Sequence, residues 1–461
     1  MSEKIAKFRL VGSDLEIEIF PKIYHSEVIS FGVARKLMVS IDRGVFRAKP
    51  MYYGHLRRLF YKIGYKIESL KVDWNLSFNC SANFTLRDYQ LEAYRRWEDN
   101  GYRGVIVIPT GGGKSHIGLW AIAKLRKKTL IVVPTIALLE QWKSNIEKYL
   151  GISKIGIFGA NQKVLDEITI TTYDSAYLNA ETFADKFGLV IFDEVHHLPS
   201  ENYKLIAELL LSEFRLGLTA TPERSDMGHL KLDELVGPIV YKIDVKTLQL
   251  RGHVANYEVK RIFVPMPDDL AERYKALRKK YLDYIKTLPE DLPPKRKYEL
   301  LILRSTRDRK AHEALLSYEK AKKLALNAEE KLKKLEEILL THKDDKVLIF
   351  TRYTDIVYEI SKRFGIPMIT NDTTPYERSE ILRLFRKGEL TKLVTAEVLD
   401  EGVDVPDASV GIILSGTGSK RQYIQRLGRI LRPKDGVAIL YELITRGTLD
   451  VSLSRRRREG I

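Results

Sequence analysis

The stretch RGVIVIPTGGGKSHIG, residues Arg103–Gly118, decides the fold of this 461-residue chain. An apolar, β-branched run is followed by a glycine-rich turn and then by a helical pattern, which is the order strand, turn, helix. Gly111, Gly112 and Gly113 allow backbone N–H groups to converge on phosphate oxygens, and a helix that begins here adds its positive dipole end. The stretch therefore predicts a phosphate-binding loop at the carboxyl end of a buried strand.

The side chains of this turn suit a nucleotide bound with Mg²⁺. Lys114 can reach the β- and γ-phosphates as a point charge, Ser115 can ligate Mg²⁺, and Thr110 lies in the same turn. The strict pattern G-x-x-x-x-G-K-[ST] fails at one position, because Ile108 stands where the first glycine is expected. The alternative, a chance glycine turn before a helix, is disfavoured by the strand that precedes it.

Short β-branched runs alternate with helical patterns on both sides of this loop. TLIVVPT, EITITTY and LVIFDE belong to one such region, and KVLIFTRY, KLVTAEV, SVGIILS and GVAILYELI belong to a second. The alternation predicts parallel sheets covered by helices on both faces. We therefore expect an α/β protein with a small N-terminal α+β domain (residues 1–80), two α/β domains (81–255 and 341–461) and a basic helical insert with its linker (256–340).

A further stretch, LVIFDEVHHLPS, ends an apolar run in two carboxylates and two histidines. Asp193, at the carboxyl end of its strand, occupies the position expected for a carboxylate that holds Mg²⁺ through water, and Glu194 can polarise the attacking water. A zinc site at His196 and His197 would need H-E-x-x-H on a helix, and adjacent residues point in different directions. Capping alone does not explain Glu194. The two stretches together predict an ATPase.

Basic residues outnumber acidic ones, with 77 lysines and arginines against 61 aspartates and glutamates and a formal net charge of +16. The excess fits a polyanionic partner, most often nucleic acid. It is concentrated between Ala271 and Lys310, where 13 basic residues stand against 6 acidic ones, and in Arg455–Arg458. No apolar run approaches the roughly 20 residues that span a bilayer, so we expect a cytoplasmic protein without a membrane partner. The single Cys80 excludes an internal disulfide.

The quoted motifs resemble those of one helicase family. The Pro-Thr-Gly turn is a variant found in nucleic-acid motor ATPases, and DEVHH resembles the XPB branch of the superfamily 2 helicases, which are DNA repair and transcription translocases. Matching motifs follow in order over about residues 84–435, and the length is similar to that of archaeal members. The resemblance implies two RecA-like domains that bind ATP, Mg²⁺ and DNA across their cleft, with the helical insert as a thumb-like element.

The resemblance also implies roles for residues of the first α/β domain. In FTLRDYQLEA, Arg87 and Gln90 would contact the nucleotide, and the amide of Gln90 offers adenine one donor and one acceptor. In GLTATPER, Thr219 and Thr221 would couple hydrolysis to domain movement, together with His196. The residues that would lie near the nucleic acid in this domain are Thr135, Gln141, Thr172 and Arg224.

In the second α/β domain, LIFTRYTD, TAEVLDEGVDVPDA and QYIQRLGRILRPKDG match family motifs. Arg352 and Thr395 would contact nucleic acid, and Asp404 would contact the nucleotide. Gln425 would belong to the coupling set. Arg429 and Arg432 would complete the transition-state charge when the cleft closes, which links chemistry to motion.

Two regions keep alternative interpretations. The insert resembles the family's DNA-gripping thumb, with Lys279, Lys280 and Arg296 as contacts, but a solvated charged hairpin has the same composition. The N-terminal domain resembles a damage-recognition domain, and MYYGHLRRLFYKIGYK interleaves aromatic and basic residues that suit unpaired bases. The same stretch equally fits a small core with snorkelling lysines and arginines.

The leading hypothesis is an ATP-dependent DNA helicase or translocase that acts in nucleotide excision repair or transcription-linked DNA opening. Family analogy implies 3′–5′ movement and a nuclease protein partner. The alternatives are an ATP-gated DNA clamp that positions such a nuclease, and an RNA-directed motor. One departure bears on unwinding, since Arg224, Ser225 and Asp226 stand where the family carries an Arg-Glu-Asp loop.

Overall fold

The computed structural model describes residues 3–21, 37–159, 162–222, 227–253, 257–326, 328–396, 408–416 and 437–458. The chain divides into two compact units, with the boundary after Leu248. No helix in the described ranges is long and apolar enough to cross a membrane.

The N-terminal domain is a small sheet with one helix packed on it. Its elements are β1 (Ile5–Val11), β2 (Asp14–Phe20), β3 (Met38–Asp42), β4 (Val45–Ala48), α1 (Tyr53–Lys62) and β5 (Lys66–Glu68), with the strands in the order β3-β4-β2-β1-β5. Alternate residues of β2 are buried, as expected for a sheet that covers its core with one face. The small N-terminal α+β domain is therefore present as expected.

The aromatic side chains of this domain mainly build its core. Tyr53, Phe60 and Tyr65 are buried, whereas Tyr61 is 73% exposed. Of the two interpretations of the aromatic-basic stretch, the structure therefore favours the small core for the first three residues. Only Tyr61 is left as an open stacking surface among these four.

Contacts fasten the N-terminal domain to the first α/β domain within the same unit. Lys49 lies 2.8 Å from Glu208, and Arg57 lies 2.9 Å from Glu213. Leu211 of the α/β domain is buried in the N-terminal core. The shared core indicates that the two domains form one body, as the single compact unit also indicates.

The first α/β domain is built on eight described strands. They are β6 (Arg103–Val107), β7 (Thr129–Val133), β8 (Gly156–Gly159), β9 (Gln162–Lys163), β10 (Ile168–Thr172), β11 (Leu189–Asp193), β12 (Phe214–Thr219) and β13 (Ile239–Lys242). Their order is β13-β6-β12-β11-β7-β10-β8-β9, and every pair except β8 with β9 is parallel. Every residue of β6, β7, β10 and β11 is buried, so both faces of the sheet are covered.

Helices connect these strands, as the alternating pattern predicts. They are α2 (Asp88–Asp99), α3 (Lys114–Leu125), α4 (Ile136–Leu150), α5 (Tyr173–Leu178), α6 (Ala180–Phe183), α7 (Lys204–Leu209), α8 (Leu232–Leu235) and α9 (Val245–Leu250). The central strands β6, β12 and β11 are neighbours in register, so Val107 pairs with Thr219 and Leu218 pairs with Asp193. The carboxyl ends of three motif-bearing strands therefore meet at one edge of the sheet.

The second unit carries a six-stranded parallel sheet among its described residues. Its strands are β14 (Tyr257–Val264), β15 (Val347–Phe350), β16 (Met368–Ile369), β17 (Lys392–Thr395), β18 (Val410–Ile413) and β19 (Ala438–Thr445), in the order β14-β19-β18-β15-β17-β16. The helices that accompany the sheet are α13 (Glu329–Thr341), α14 (Thr354–Phe364), α15 (Pro375–Lys387) and α16 (Leu449–Arg458). Both predicted α/β domains are thus present.

The helical insert consists of α10 (Asp268–Ile285), α11 (Pro294–Ser305) and α12 (Arg309–Leu326). The insert is shorter than the predicted range 256–340. The strand Tyr257–Val264 pairs with Ala438–Thr445 of the second sheet, and α13 buries Leu332, Leu335 and Ile338 in the core of that domain. Both ends of the predicted range therefore belong to the second α/β domain, the first because it pairs with a strand of that sheet and the second because its apolar residues are buried in that core.

The basic C-terminal stretch is also partly structural. Arg457 is 2% exposed and lies 2.9 Å from Glu442 and 3.5 Å from Asp450. Because a buried guanidinium needs paired carboxylates, this arginine fastens α16 to the sheet and is not part of an open basic surface.

Candidate active site

The glycine-rich turn forms a tight cradle at the end of β6. Gly113 has φ +73°, and a Cβ atom at this position would lie 2.4 Å from Nε2 of Gln90. A Cβ on Gly112 would lie 2.4 Å from Cγ2 of Ile108. Ile108, which replaces the first glycine of the strict pattern, is fully buried. Its side chain is accommodated because Gly112 has none, so the departure from the pattern leaves the turn intact.

Two features of the cradle fit a nucleotide phosphate. A side chain at Gly112 would collide with Ile108 and one at Gly113 would collide with Gln90, so the turn keeps its tight shape only because both residues are glycines. The hydroxyl Oγ1 of Thr110 is buried without a hydrogen-bond partner among the described residues. A phosphate oxygen could accept a hydrogen bond from this hydroxyl.

Lys114 lies between the cradle and the carboxylates of the next motif. Its Nζ donates to the carbonyl oxygen of Ile108 at 3.3 Å and lies 3.8 Å from Oε1 of Glu194. The side chain is 9% exposed, so its charge acts in surroundings that screen it weakly. The lysine therefore links the phosphate loop directly to the predicted catalytic glutamate.

Asp193 is held by two residues for which the sequence predicts no role, Trp142 and Tyr173. Its Oδ2 accepts a hydrogen bond from Nε1 of Trp142 at 2.8 Å, and its carbonyl oxygen accepts one from the hydroxyl of Tyr173 at 3.0 Å. Burial, followed by the charge of Glu194, raises the pKa of Asp193 to about 6. The signal for Trp142 in the sequence is weak, because a tryptophan in a helical pattern more often indicates only core packing.

Glu194 has an unusual backbone and a low pKa. Its φ is +46°, a left-handed conformation that costs a non-glycine residue on the order of 1–3 kcal/mol. Burial alone would raise the pKa of Glu194, but the charge of Lys114 and the contact with His196 outweigh burial and place the pKa well below its usual value. Glu194 is therefore ionised and faces the cradle lysine, which is the state that a water-polarising base requires.

Thr219, at the end of β12, joins the two motifs. Its Oγ1 lies 3.0 Å from Nδ1 of His196 and donates to Oε2 of Glu194 at 3.3 Å. The same hydroxyl accepts a hydrogen bond from the N–H of Thr221 at 3.2 Å. The structure thus brings three of the predicted coupling residues, His196, Thr219 and Thr221, together with the predicted catalytic glutamate, although their roles stay predictions.

The predicted adenine contact is tied to the cradle. Nε2 of Gln90 donates to the carbonyl oxygens of Gly112 and Gly113 at 3.0 and 3.3 Å, and its Oε1 accepts from the N–H of Arg87 at 3.0 Å. The hydroxyl of Tyr89, for which the sequence gives no functional signal, donates to the carbonyl oxygen of Gly112 at 2.7 Å. The segment therefore supports the loop, and any contact of Gln90 with a base must compete with these hydrogen bonds.

The oxygen ligands at this edge fit Mg²⁺ bound together with phosphates. Mg²⁺ commonly keeps several waters and takes one or two protein oxygens plus substrate phosphates. Asp193 and Ser115 stand in the two motifs that meet here, and among the described residues no group of three or more His, Cys, Asp or Glu side chains could hold a metal by itself. The zinc interpretation of the two histidines therefore finds no support in the described part of the chain.

Two of the predicted nucleic-acid residues of the first domain, Thr135 and Thr172, lie at helix starts. Oγ1 of Thr135 caps α4 by accepting from Leu138 N, and Oγ1 of Thr172 caps α5 by accepting from Ser175 N, each at 3.3 Å. Gln141 lies half-buried on α4. The two threonine hydroxyls are thus engaged in capping, which orients the helix starts.

In the second unit, Arg352 follows β15, and its guanidinium lies 5.8 Å from the ring centre of Tyr353. Thr395 is fully buried, and its hydroxyl donates to the carbonyl oxygen of Ala396 at 2.8 Å. Thr395 ends β17, and its predicted contact with nucleic acid stays a prediction.

The insert exposes all three of its predicted contacts. Lys279, Lys280 and Arg296 are exposed, and Arg296 pairs with Glu299 at 3.0 Å. Several predicted site residues lie outside the described residues, so their roles stay predictions: Arg224, Ser225, Asp226, Asp404, Gln425, Arg429 and Arg432.

Two family models match the chain. The model described as Type III restriction enzyme, res subunit, matches residues 83–224, and the model described as Helicase conserved C-terminal domain matches residues 330–434. The helicase domain of Hef from Pyrococcus furiosus superposes with a TM-score of 0.57 at 20% identity and covers 81% of this chain and 98% of its own. That similarity shows a shared helicase-domain fold.

Three related proteins align with more than nine tenths of the chain. The chain is 43% identical over 442 residues to the DNA 3'-5' translocase XPB2 of Sulfurisphaera tokodaii, covering 96% of this chain and 100% of that protein. It is 31% identical to the DNA 3'-5' helicase XPB of Mycobacterium tuberculosis, covering 92% of this chain and 73% of that protein. It is 26% identical to the general transcription and DNA repair factor IIH helicase/translocase subunit XPB of Danio rerio, covering 94% of this chain and 53% of that protein.

Proposed function

The chain belongs to the XPB family of superfamily 2 DNA helicases, and from this premise we propose that it is an ATP-dependent DNA translocase and helicase that moves 3′–5′. The observation that carries this proposal is the chain of contacts from Lys114 through Glu194 to Thr219. Phosphate loop, catalytic carboxylate and coupling threonine are connected by direct side-chain contacts, which is what a motor needs to convert hydrolysis into movement.

The residues of the cradle would bind and orient ATP. Lys114 and the backbone of Gly111–Gly113 would hold the phosphates, and Ser115 and Asp193 would hold Mg²⁺, in part through water. When bound, Mg²⁺ neutralises charge on the phosphates and orients them for in-line attack. Glu194, which is ionised and positioned by Thr219, would accept the proton of the attacking water.

Charge from the second domain would complete the reaction. We propose that Arg429 and Arg432 stabilise the charge that develops on the transferred phosphoryl group. Arg352 and the exposed lysines and arginines of the insert, with Lys279 and Lys280 among them, would bind DNA phosphates, because their charges are accessible and carry no base-reading geometry.

The cellular role is a further part of the proposal. The family includes subunits of a general transcription and DNA repair factor, so we propose a role in nucleotide excision repair or in transcription-linked DNA opening. We also propose a nuclease protein as partner, as the family resemblance implies.

The test compares ATP turnover in the presence of duplex DNA, single-stranded DNA and RNA of equal length. We expect DNA to stimulate turnover and RNA to have little effect. Displacement of a third strand from duplex DNA reports movement independently of strand separation. Stimulation by RNA alone would replace the proposal by an RNA-directed motor, and stimulation without third-strand displacement would replace it by an ATP-gated clamp.

A further inference from the structure

Two parallel strands of the second sheet end side by side, and each leads into a predicted functional segment. β15 leads into Thr351 and Arg352, and β18 leads into Leu414 and Ser415. The last hydrogen bond of the ladder between them runs from the N–H of Leu414 to the carbonyl oxygen of Phe350 at 2.9 Å. The two chains would separate at this point unless other groups joined them.

The hydroxyl of Ser415 continues the connection beyond the sheet. It accepts a hydrogen bond from the N–H of Arg352 at 2.9 Å, and it shares a second hydrogen bond with Oγ1 of Thr351 at 2.8 Å. Both hydroxyl side chains are buried, with exposures of 0% for Thr351 and 1% for Ser415. Since water cannot replace these contacts, the backbone of Arg352 is fixed to the end of β18.

The end of β18 is itself held from a second direction. Nζ of Lys331 on α13 donates to the carbonyl oxygen of Leu414 at 2.7 Å and to Oδ2 of Asp450 at 2.6 Å. Lys331 and Asp450 are both fully buried, so the lysine charge is compensated inside the domain. The backbone beside Ser415 is therefore held by Lys331 of α13, so the position of Ser415 does not depend on its contact with Arg352 alone.

We propose that Ser415 is the positioning residue for Arg352 and that it makes ATP turnover respond to DNA bound at that arginine. An arginine side chain loses much rotamer freedom when it binds a phosphate, so a fixed backbone lowers the cost of that contact. Ser415 also lies two residues before the segment 417–436, whose sequence contains Arg429 and Arg432. In the sequence, Ser415 thus stands between the predicted DNA contact and the predicted transition-state arginines. This inference rests on the proposed function.

The test measures ATP turnover against DNA concentration for Ser415→Ala. We expect the DNA concentration for half-maximal stimulation to rise about tenfold, because a preorganised backbone lowers the cost of the Arg352–phosphate contact and one buried hydrogen bond contributes about that much. The KM for ATP and the turnover without DNA should stay at wild-type values. The matched control is Ser409→Ala, which removes a hydroxyl that bonds Asp345 at 3.3 Å at the other end of the same strand. This control should keep the wild-type DNA dependence.

Two conservative substitutions of Thr351 distinguish the loss of its hydrogen bond to Ser415 from a loss of packing. Thr351→Ser keeps the hydroxyl and should retain the wild-type DNA dependence, whereas Thr351→Val keeps the size and should lose it. Equal losses in the two variants would overturn the inference, because packing alone would then explain the effect.

A double-mutant cycle completes the test. If Ser415 acts through Arg352, then Ser415→Ala should add little to the loss caused by Arg352→Ala. Additive losses, or the wild-type DNA dependence in Ser415→Ala, would overturn the inference and leave the proposed function standing. A wild-type protein that DNA does not stimulate would overturn the proposed function itself.

Discussion

Nδ1 of His196 and Oγ1 of Thr219 lie 3.0 Å apart in the protein interior. His196 lies three residues after Asp193, which ends one strand, and Thr219 ends the neighbouring strand. Thr219 also donates a hydrogen bond to Glu194. A movement of the Glu194 carboxylate during hydrolysis would therefore alter the contacts of both Thr219 and His196. Thr219 therefore joins the predicted ATP site to the end of β12.

The first prediction concerns this threonine. Thr219→Val removes the hydroxyl at nearly constant volume and should lower third-strand displacement per ATP hydrolysed by about tenfold, because the buried contacts with His196 and Thr221 N are lost. Thr219→Ser keeps those contacts and should behave like wild type. The measurement is displacement and ATP turnover in the same samples. A loss of turnover equal to the loss of displacement would show that Thr219 serves hydrolysis and not coupling.

The second prediction separates ATP binding from hydrolysis. Glu194→Gln should bind ATP with Mg²⁺ but turn it over about 100-fold more slowly or worse, since a general base commonly contributes that much. Lys114→Ala should weaken nucleotide binding itself, because its charge faces the cradle. Nucleotide affinity by fluorescence and turnover by phosphate release distinguish the two. As a control, Glu201→Gln changes an exposed glutamate that pairs with Lys204 and should leave both quantities unchanged.

The third prediction concerns the arginines of the last motif. Arg429→Ala and Arg432→Ala should leave ATP affinity nearly intact but lower DNA-stimulated turnover about 10³-fold, the effect of comparable arginines in other phosphoryl-transfer systems. Arg383→Ala, which removes an exposed arginine paired with Glu380, is the control. An unchanged stimulated rate in both variants would exclude these arginines from the reaction.

The sequence predicts the parts of the candidate site that are formed by residues close together in the chain. Strand, turn and helix around Lys114, and the carboxylates that end β11, are local patterns whose geometry follows from backbone rules. Contacts between distant residues could not be predicted in the same way. Trp142 and Asp193 are 51 residues apart, and the pairing of Tyr257–Val264 with β19 joins opposite ends of the second unit.

Composition misleads where a charged or aromatic residue is buried. Arg457 stands in a run of four arginines, yet it is enclosed by Glu442 and Asp450. Tyr53 and Phe60 stand in a stretch that suits base stacking, yet both are buried in the N-terminal core. Burial depends on packing between elements that are distant in the sequence, so the composition of a short stretch does not predict which of its residues are buried.

The fourth prediction concerns the insert. Replacing Lys279, Lys280, Lys295, Arg296 and Lys297 by glutamine should weaken DNA binding similarly for all sequences. Each lost phosphate contact should reduce the slope of log affinity against log salt by about one unit. The control replaces Lys333 and Lys334 of α13, which pair with Glu330 and Glu337, and it should keep the wild-type slope. An unchanged slope in the insert variant would mean that the hairpin is only a solvated surface.

The fifth prediction follows from the hydrogen bond between Trp142 and Asp193. The indole N–H at 2.8 Å fixes one carboxylate oxygen, and the N–H of Glu194 donates to the other at 3.0 Å. Trp142→Phe keeps an aromatic ring in the core but leaves Oδ2 without this donor. Partners that orient a metal-binding carboxylate commonly contribute about 10- to 100-fold in metal affinity, so the Mg²⁺ concentration for half-maximal turnover should rise by about tenfold.

Turnover at saturating Mg²⁺ should recover most of the wild-type rate, because Glu194 and Lys114 are unchanged. This recovery separates the loss of the hydrogen bond from a general loss of structure, which added Mg²⁺ would not reverse. Trp120→Phe is the matched control, since Trp120 lies on the neighbouring α3 and packs edge-on against Phe84 with ring centres 5.9 Å apart. The same Mg²⁺ dependence in Trp142→Phe and wild type would show that the indole only fills space beneath the carboxylate, and that Asp193 is oriented by the backbone of Glu194 alone.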